Sequence, residues 1–464
     1  MRRTLIIKNT YKINMFFEMI ILKVLYIYVF SVFLPDKWEL WSVDKNINYF
    51  NALIEFIPFL LILVIYLYTY KRGSSLSFLS TLLFVMYFIP NNSCLTLSCY
   101  DIEYYTLNSI YSMLVFIAIG IYEKRGRYEC DASEIDQNYI WENKKMIRIM
   151  SSICIIVCIV CILYVYTYNG LNFSFLFADR YTTRSVFADY YASHVGSIVS
   201  YVILIVTSVF NWFLPICLYF SVYSKKIPYI VLCTFTYLAF YTVQQTKATL
   251  FTYVLVILIC YITRKKRIEI IGEVFIRAFI LVFAICILEE KVLGSSLVLV
   301  FLRRLLYIPQ YLVHIFYDFY SNNPKLWFTQ DAFFIQKFMA FIFGRSYSQS
   351  AIATISQNCF NGLIPSPNTG MLAEAYAQLG YLGIVIFPFI IAFVAKKMND
   401  SSLWYGQGAA MVIMAEFSIT AISVQLLTSS TFVGFLIFIL ISILLKKLYE
   451  SKTLKKRSTG ELLP

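Results

Sequence analysis

The chain has 464 residues, of which 60% are apolar and only 14% are charged, and its mean hydropathy is +0.70. A soluble protein of this length could not bury so much apolar surface, so these values exclude a soluble globular enzyme and indicate an integral membrane protein. The net charge of +13 comes mostly from Lys and Arg clusters between hydrophobic stretches. Such clusters are typical of cytoplasmic loops beside anionic lipid, so nucleic acid is not expected as a partner.

Hydrophobic segments near 20 residues in length recur along the chain. Each is long enough to cross about 30 Å of hydrocarbon as a helix. We predict an all-α membrane protein with about 12 transmembrane helices in one domain, residues 1–464. The predicted spans are 13–34, 50–70, 76–90, 105–122, 149–168, 198–220, 227–243, 247–262, 274–288, 380–395, 403–422 and 430–445.

Two of these assignments depend on polar residues. The first span carries Glu18 and Lys23 and is not followed by a small-residue cleavage site, so we expect it to be retained rather than removed as a signal peptide. The hydrophobic block 227–262 contains the sequence QQTK from Gln244 to Lys247. Four polar residues in the middle of a lipid-embedded helix would be costly, so the sequence predicts two helices here.

The basic clusters alternate with the predicted spans, and the positive-inside rule therefore orients the chain. We predict that both termini are cytoplasmic and that residues 289–379 form one long extracytoplasmic loop, with amphipathic helices, before the last three spans. The cytoplasmic clusters are Arg2, Arg3, Lys8 and Lys12; Lys71 and Arg72; Lys124, Arg125, Arg127, Lys144, Lys145 and Arg148; Lys225 and Lys226; Arg264 to Arg267; Lys396 and Lys397; and Lys446 to Arg457.

The first candidate site segment is FLRRLLYIPQYLVHIFYDFY in the long loop. It predicts an amphipathic helix broken near Pro309, with Arg303, Tyr307, Tyr311 and His314 recurring at spacings of 4, 4 and 3. Such a stripe either anchors a helix at the membrane interface or holds a sugar ring. His314 is a structural or a catalytic histidine, and Asp318 beside the aromatic residues is expected to orient a sugar by hydrogen bonding.

The second candidate segment is NTGMLAEAYAQLGYLG. Asn368 or Thr369 can cap a helix that begins near Gly370, and the helix dipole then favours an anion at Glu374. Glu374 either stabilises this helix or accepts a proton from a sugar hydroxyl. Gly380 and Gly383 are expected to allow close packing where the chain re-enters the membrane.

A few other basic residues fall on the predicted outer face. Arg180 and Arg184 lie four residues apart, as either a headgroup anchor or a pair that binds pyrophosphate. Lys247 follows the QQTK break, where it either reaches the interface or binds an anionic headgroup. Arg345 lies later in the long loop and is a further candidate for binding substrate.

The eleven cysteines do not follow a metal-binding spacing, so no metal site is predicted. Cys154, Cys158 and Cys161 lie at helical spacing inside a predicted span and are expected to pack as small apolar residues. Cys94 and Cys99 lie in a predicted outer loop, where they either form a disulfide or remain reduced.

The segment RRLLYIPQYLVHIFYDFYSNNPKLW, followed about 40 residues later by SPNTGMLAEAYAQLGYLGI, resembles the O-antigen polymerases, the Wzy-type polymerases of oligosaccharide repeat units. The predicted topology is similar to that family over nearly the whole chain. The residues that carry the resemblance are Arg303, Arg304, Pro309, Asp318, Asn368, Gly370, Glu374 and Gly380. Some members have an Arg-x10-Gly motif in their outer loops, and no arginine here has a glycine eleven positions on.

The resemblance implies an enzyme of the bacterial inner membrane that acts on undecaprenyl-pyrophosphate-linked repeat units at the periplasmic face. It also implies a chain-length regulator as a partner. Transfer of the growing chain to the new unit would need arginines to stabilise the leaving pyrophosphate and a base for the acceptor hydroxyl, without a metal or a cofactor. The expected catalytic residues are Glu374, His314, Arg303 and Arg304, and the expected substrate-binding residues are Arg180, Arg184, Lys247, Tyr307, Asp318, Arg345 and Asn368.

Two other functions are compatible with this plan. An O-antigen ligase also has a long, late outer loop and could use His314. A repeat-unit flippase has a similar number of spans but would place cations inside them, and only Lys23 and Arg277 are expected there.

Overall fold

A computed structural model describes most of the chain as helix, and the described part contains no β-strand. The described residues are 2–34, 49–98, 101–125, 144–171, 198–244, 247–265, 267–294, 297–329, 339, 341–342, 344, 351–361, 370–423 and 430–458. The α-helices are α1 (Arg2–Phe33), α2 (Tyr49–Thr69), α3 (Ser75–Leu83), α4 (Ile89–Asn91), α5 (Cys94–Ser98), α6 (Ile102–Arg125), α7 (Lys144–Asn169), α8 (Ile198–Tyr223), α9 (Ile227–Gln244), α10 (Lys247–Arg264), α11 (Ile271–Leu288), α12 (Leu297–Leu302), α13 (Ile308–Asn322), α14 (Ala351–Phe360), α15 (Met371–Leu379), α16 (Tyr381–Leu403), α17 (Gln407–Ser423) and α18 (Ser430–Ser458). Three π-helical turns join some of them: π1 (Phe84–Phe88), π2 (Glu289–Leu293) and π3 (Arg303–Tyr307).

Many of these helices are long and apolar enough to cross a membrane. Within the described residues, nine segments meet this requirement by length and composition, and three shorter apolar helices accompany them. The prediction of a helical, multi-pass membrane protein is therefore confirmed, while the number of spans stays a prediction. The predicted spans 227–243, 247–262 and 403–422 correspond to the shorter helices, and the last predicted span lies within α18.

The predicted break at QQTK is confirmed. The Thr234 Oγ1 on α9 lies 2.9 Å from the Tyr253 hydroxyl on α10. In one continuous helix these two residues would be about 28 Å apart, because each residue adds about 1.5 Å. The two helices therefore fold back on each other as a hairpin.

The structure differs from the prediction in the segment 289–379. Leu297–Asn322 is one uninterrupted helical segment, and its length and composition make it one of the nine candidate spans. The predicted break near Pro309 is wrong. Instead, the helix continues through the π-helical turn π3, in which the backbone N–H of Ile308 donates to the carbonyl of Arg303. Pro309, which has no N–H, then occupies the first turn of α13, where the lack of a donor costs nothing.

The chain divides into two compact units. Unit 1 comprises Met1–Cys130, Glu269–Phe393 and Phe417–Ser429. Within it α1 packs on α11, α2 on α6 and α13 on α15. Its most buried element runs from Ser75 to Leu97, where every residue is buried. All the candidate catalytic residues belong to this unit.

Unit 2 comprises Asp131–Ile268, Val394–Glu416 and Ser430–Pro464. In this unit α8 packs against α7, α10 and α18, and α9 packs against α7. Aromatic pairs such as Phe210 with Phe240, whose ring centres lie 3.7 Å apart, fill the space between its helices.

Candidate functional site

The two segments that the sequence singled out pack against each other in unit 1. Tyr317 of α13 lies over Tyr376 of α15, with ring centres 4.7 Å apart. Tyr104 of α6 contacts both Tyr317, at 5.2 Å, and His314, at 4.9 Å edge-to-face. We call Tyr104, His314, Tyr317 and Tyr376 the aromatic cluster. Three helices distant in sequence thus meet at one place.

Glu374 lies on α15 and is fully buried. Residues 371–378 of this helix are all buried, because small alanines at 373, 375 and 377 let neighbouring elements approach closely. The sequence predicted Glu374 on a helix of the outer segment, and its location on the outer face stays a prediction. The Glu374 carboxyl lies within electrostatic reach of the Tyr111 phenol on α6.

The start of α15 also differs from the prediction. The helix begins at Met371 as expected, but its N-cap is Gly370, and no side chain caps it. A Cβ at Gly370 would lie 2.9 Å from the Ile422 carbonyl oxygen, so the backbone approaches its neighbour too closely for a capping side chain at this position. Asn368 and Thr369, the predicted caps, lie outside the described residues.

A backbone connection fixes the C-terminal end of α15. The N–H groups of Leu326 and Trp327 donate to the carbonyls of Ala377 and Gln378, each at 2.9 Å. The Phe328 N–H donates to the Gln378 side-chain oxygen at 2.7 Å. The segment that follows α13 is therefore hydrogen-bonded to the C-terminal end of α15 and fixes the position of α15 relative to α13.

Lys325 is a cation at this site that the sequence did not single out. Its ammonium lies 4.3 Å from the centre of the Tyr376 ring and donates to the Tyr320 carbonyl. Burial lowers the pKa of Lys325, and burial raises the pKa of Tyr376 to about 12. Tyr376 is therefore a neutral hydrogen-bonding group at physiological pH.

The two adjacent arginines of π3 have different environments. Arg303 is buried, with 7% of its surface exposed, whereas Arg304 is half-buried. Tyr307, predicted to bind substrate, is fully buried and stacks on Phe30 at 5.6 Å and on Tyr311 at 6.4 Å. Its ring belongs to the packed interior in this arrangement and does not line an open groove.

His314 has two acidic neighbours. Asp318, one turn later on α13, and Asp101, just before α6, both act electrostatically on the imidazole. Both aspartates are exposed while His314 is half-buried. The histidine thus contacts the Tyr104 ring and also lies near two exposed carboxylates, a position from which an imidazole can exchange protons with solvent-exposed groups.

Several predicted substrate-binding residues lie outside the described residues. These are Arg180, Arg184, Arg345 and Asn368, together with the side chain of Lys247, whose backbone begins α10. Cys99 is also outside them, so the predicted alternatives for Cys94 and Cys99 stay open; Cys94 is buried and forms no disulfide with another described cysteine.

The structure pairs both cations that were expected inside the spans. Lys23 and Glu55 are fully buried and lie 3.8 Å apart. The Glu55 carboxylate also accepts hydrogen bonds from the Thr96 N–H at 2.9 Å and the Thr96 hydroxyl at 2.6 Å. Arg277 pairs with Glu18 at 2.7 Å. Glu55, an acid within an apolar span, was the sequence signal that could have predicted the first pair.

In unit 2 the structure adds the thiol of Cys233 to those of Cys154 and Cys158, which the sequence spacing had already placed on one helix. The Cys233 sulfur is 3.5 Å from that of Cys154 and 3.9 Å from that of Cys158. Such a group could bind a soft metal ion, but these are also the separations of packed non-bonded atoms, roughly 3.5–4.0 Å. The apolar span disfavours the thiolate form that a metal needs, so the distances agree with the predicted packing role.

No family model matches the chain, and neither the curated proteins nor the solved structures provide a match. Its function must therefore be inferred from its own residues.

Proposed function

We propose that this protein is an O-antigen polymerase. It would join undecaprenyl-pyrophosphate-linked oligosaccharide units into an O-antigen or capsular polysaccharide at the periplasmic face of the bacterial inner membrane. The observation that carries the proposal is the packing of α13 against α15, which brings the arginine-aromatic segment next to the segment with Glu374. These are the two segments on which the resemblance depends.

The aromatic cluster supports a carbohydrate substrate. Tyrosine rings can offer flat apolar faces to sugar rings and hydroxyls to their polar edges. Tyr104, Tyr317 and Tyr376 are buried in this arrangement, so a sugar would reach them only when their helices separate. Within the cluster His314 is a proton carrier, and Lys325 beside Tyr376 adds a cation. Lys325, Arg303 and Arg304 would stabilise the negative charge that develops on the leaving pyrophosphate, so the proposed reaction needs no metal or cofactor.

The proposed reaction is a direct displacement. Glu374 removes the proton from a hydroxyl of the acceptor sugar, and the resulting oxygen attacks the anomeric carbon of the donor. The bond from that carbon to the pyrophosphate breaks, and its electron pair leaves with the pyrophosphate. Arg303 and Arg304 stabilise the negative charge that develops, and the configuration at the anomeric carbon inverts.

The remaining predicted contacts belong to the same proposal. Arg180, Arg184, Lys247 and Arg345 would bind the pyrophosphate or adjacent lipid headgroups, and Asp318 and Asn368 would orient sugar hydroxyls. The protein would work beside a chain-length regulator, with both termini in the cytoplasm.

The alternative functions differ in what they require of the charges within the apolar spans. A flippase needs free cations along its path, whereas Lys23 and Arg277 are both paired with carboxylates. This pairing favours an enzyme over a transporter. A ligase would share the aromatic cluster and would differ in its product.

The lipopolysaccharide banding pattern tests the proposal. A strain lacking the protein should show single capped units, and the wild-type gene should restore the ladder. Free polymer would indicate a ligase instead, and the absence of both periplasmic polymer and capped core would indicate a flippase.

The variant Glu374→Gln tests the base in the same assay. It keeps the shape of the side chain and removes the proton acceptor, so we expect single capped units at normal protein levels. Glu416→Gln is the matched control, because Glu416 is also buried but lies in unit 2, where it accepts a hydrogen bond from Thr252. An unchanged ladder from Glu374→Gln would transfer the base role to His314.

A further inference from the structure

One face of α6 carries buried polar groups that have no role in the proposed reaction as described above. Asn108, Tyr111 and Ser112 follow one another at helical spacing and are 0%, 0% and 1% exposed. The Tyr87 hydroxyl on π1 lies near Tyr111 and is buried as well. Within the described part of the chain, the amide oxygen and nitrogen of Asn108 and the hydroxyls of the other three residues have no hydrogen-bond partner. We call these four residues, three on α6 and Tyr87 on π1, the α6 polar face.

Buried polar atoms of this kind need a partner. Almost all buried polar side chains in native proteins form hydrogen bonds, and a group left without one destabilises the fold. Five such atoms in one region are too many for a packing defect. They indicate a place where hydroxyl-bearing molecules, either water or a ligand, complete the hydrogen bonds.

The chemistry of these atoms selects the class of ligand. The Asn108 amide nitrogen only donates, its oxygen only accepts, and the three hydroxyls do both. A pyrophosphate offers acceptors alone and would leave the Asn108 oxygen unsatisfied. A sugar hydroxyl both donates and accepts, and the four side chains are neutral. The face therefore fits a neutral carbohydrate and not the charged end of a lipid-linked substrate.

The position of the face agrees with this chemistry. Tyr111 lies within electrostatic reach of Glu374, and one turn before Asn108 the same helix contributes Tyr104 to the aromatic cluster. Along α6, the ring of Tyr104 that can stack on a sugar is therefore followed by Tyr111, which lies near the Glu374 carboxylate that would accept the proton of the sugar hydroxyl. A cavity of about 10 Å³ lies between α6, α13 and α15. It is lined by Tyr104, Leu107, Val313, Tyr317, Leu372 and Tyr376.

We propose that the α6 polar face binds the acceptor sugar and holds its hydroxyl against Glu374. This inference rests on the proposed polymerase function and assigns the acceptor end of that site. None of the four residues lines this cavity and all of them are buried, so a sugar ring can reach them only when α6 separates from the elements packed on it. Asn108 and Tyr111 act as specificity-determining residues that position the hydroxyl.

The test separates acceptor from donor. Purified protein in lipid would receive the lipid-linked repeat unit as donor and a free repeat-unit oligosaccharide, which lacks pyrophosphate and can act only as acceptor. For Asn108→Leu and Tyr111→Phe, we expect the KM for the free oligosaccharide to rise about fivefold to tenfold. A change of this size is expected when one hydrogen bond to the sugar is lost. The KM for the lipid-linked donor should change less than about twofold, whereas Arg303→Lys should raise the donor KM instead.

Stability measurements exclude a purely structural role. Both variants remove buried groups that lack partners, so their thermal unfolding temperatures should equal or exceed that of the wild type. Tyr237→Phe is the matched control, because Tyr237 is also buried with no hydrogen-bond partner among the described residues, but lies in unit 2. It should leave both KM values unchanged.

Two kinds of result would overturn the inference. An unchanged acceptor KM in both variants would mean that the face holds only internal water. Equal rises in both KM values, or activity lost together with thermal stability, would mean a structural role. If the wild type transfers no sugar but binds the free oligosaccharide, and the two variants lose that binding, the polymerase function fails while the carbohydrate site stands.

Discussion

Arg303 and Arg304 show how neighbouring residues can serve different purposes. Successive residues on a helix point in directions about 100° apart, so one arginine of the pair enters the interior while the other stays near the surface. Arg303 is buried and Arg304 half-buried. A buried guanidinium is desolvated, so its interaction with a pyrophosphate would be stronger than that of a hydrated one.

We therefore expect unequal effects from the two lysine variants. Lysine keeps the charge but loses the two parallel hydrogen bonds of guanidinium, so Arg303→Lys should reduce polymer at least about tenfold. Arg304→Lys should reduce it about twofold or less. The lipopolysaccharide ladder at matched protein levels measures both. A full ladder from both variants would remove the pair from the site, and equal losses would contradict the difference in burial.

The buried pair of Lys23 and Glu55 makes a prediction about stability. Lys23→Met leaves the Glu55 carboxylate buried without its cation, so we expect the free energy of unfolding to fall by about 3–5 kcal/mol. Replacing both residues, Lys23→Met with Glu55→Gln, should recover much of that loss, because neither charge then remains. Denaturation of the purified protein in detergent measures the three values.

The pair formed by Lys396 and Asp400 provides the control for this experiment. It lies on one helix four residues apart and is partly exposed. Lys396→Met should change the free energy of unfolding by less than about 1 kcal/mol. A double variant no more stable than Lys23→Met alone would mean that the two buried residues act independently.

Among the helices, the junction between α15 and α16 is the most constrained element near the site. Gly380 has a φ of +61° and a ψ of −136°, a conformation that side chains disfavour. A Cβ at Gly383 would lie 2.0 Å from the Ala375 carbonyl oxygen, so α16 packs directly on the backbone of α15. The close packing predicted for Gly383 is therefore confirmed.

Gly383→Ala should therefore displace α15 and Glu374 with it. We expect polymerisation to fall strongly and the free energy of unfolding to drop by about 1–3 kcal/mol, the usual cost of overpacking. The control is Gly120→Ala, whose new methyl group would lie 2.3 Å from the Thr69 Cγ2, so it also overpacks the interior but does so between α2 and α6. Similar losses of polymer in both variants would show that overpacking in general, and not the position of α15, is responsible.

The whole molecule raises the question of where Leu297–Asn322 lies. Its length and composition permit a span, whereas Arg303 and Arg304 in its first half would be costly in lipid. The basic clusters predict that this segment stays on the outer face. Reporter fusions after Gly294 and Asn322 should therefore report the extracytoplasmic side, and a fusion after Lys455 the cytoplasm.

The three fusions distinguish the alternatives. Opposite compartments for Gly294 and Asn322 would mean that the segment crosses the membrane. The same compartment for Asn322 and Lys455 would overturn the predicted topology and the outer location of the site. Fusions at residues 245–246 of the α9–α10 turn would provide an independent check, since that turn is predicted to face outward.

The sequence by itself determined the class of the protein and the break between α9 and α10. Apolar runs near 20 residues can satisfy their backbone only as helices in lipid, so composition sufficed to predict a helical membrane protein. The QQTK break and the packing glycines were local signals as well. Each of these signals depends on a few adjacent residues: polar side chains that are costly in lipid, or a glycine that leaves no side chain between two backbones.

The tertiary structure decided which polar groups lie together. Glu55 and Lys23, or Tyr111 and Glu374, are far apart in sequence, and only the packing of different helices brings them close. Helical spacing indicates which residues share a face but not which other helix that face meets, so the burial of Glu374 and the α6 polar face were not predicted. Burial decides whether a polar group is an ordinary surface residue or part of a site, because removing it from water changes its energy far more than its sequence neighbours do.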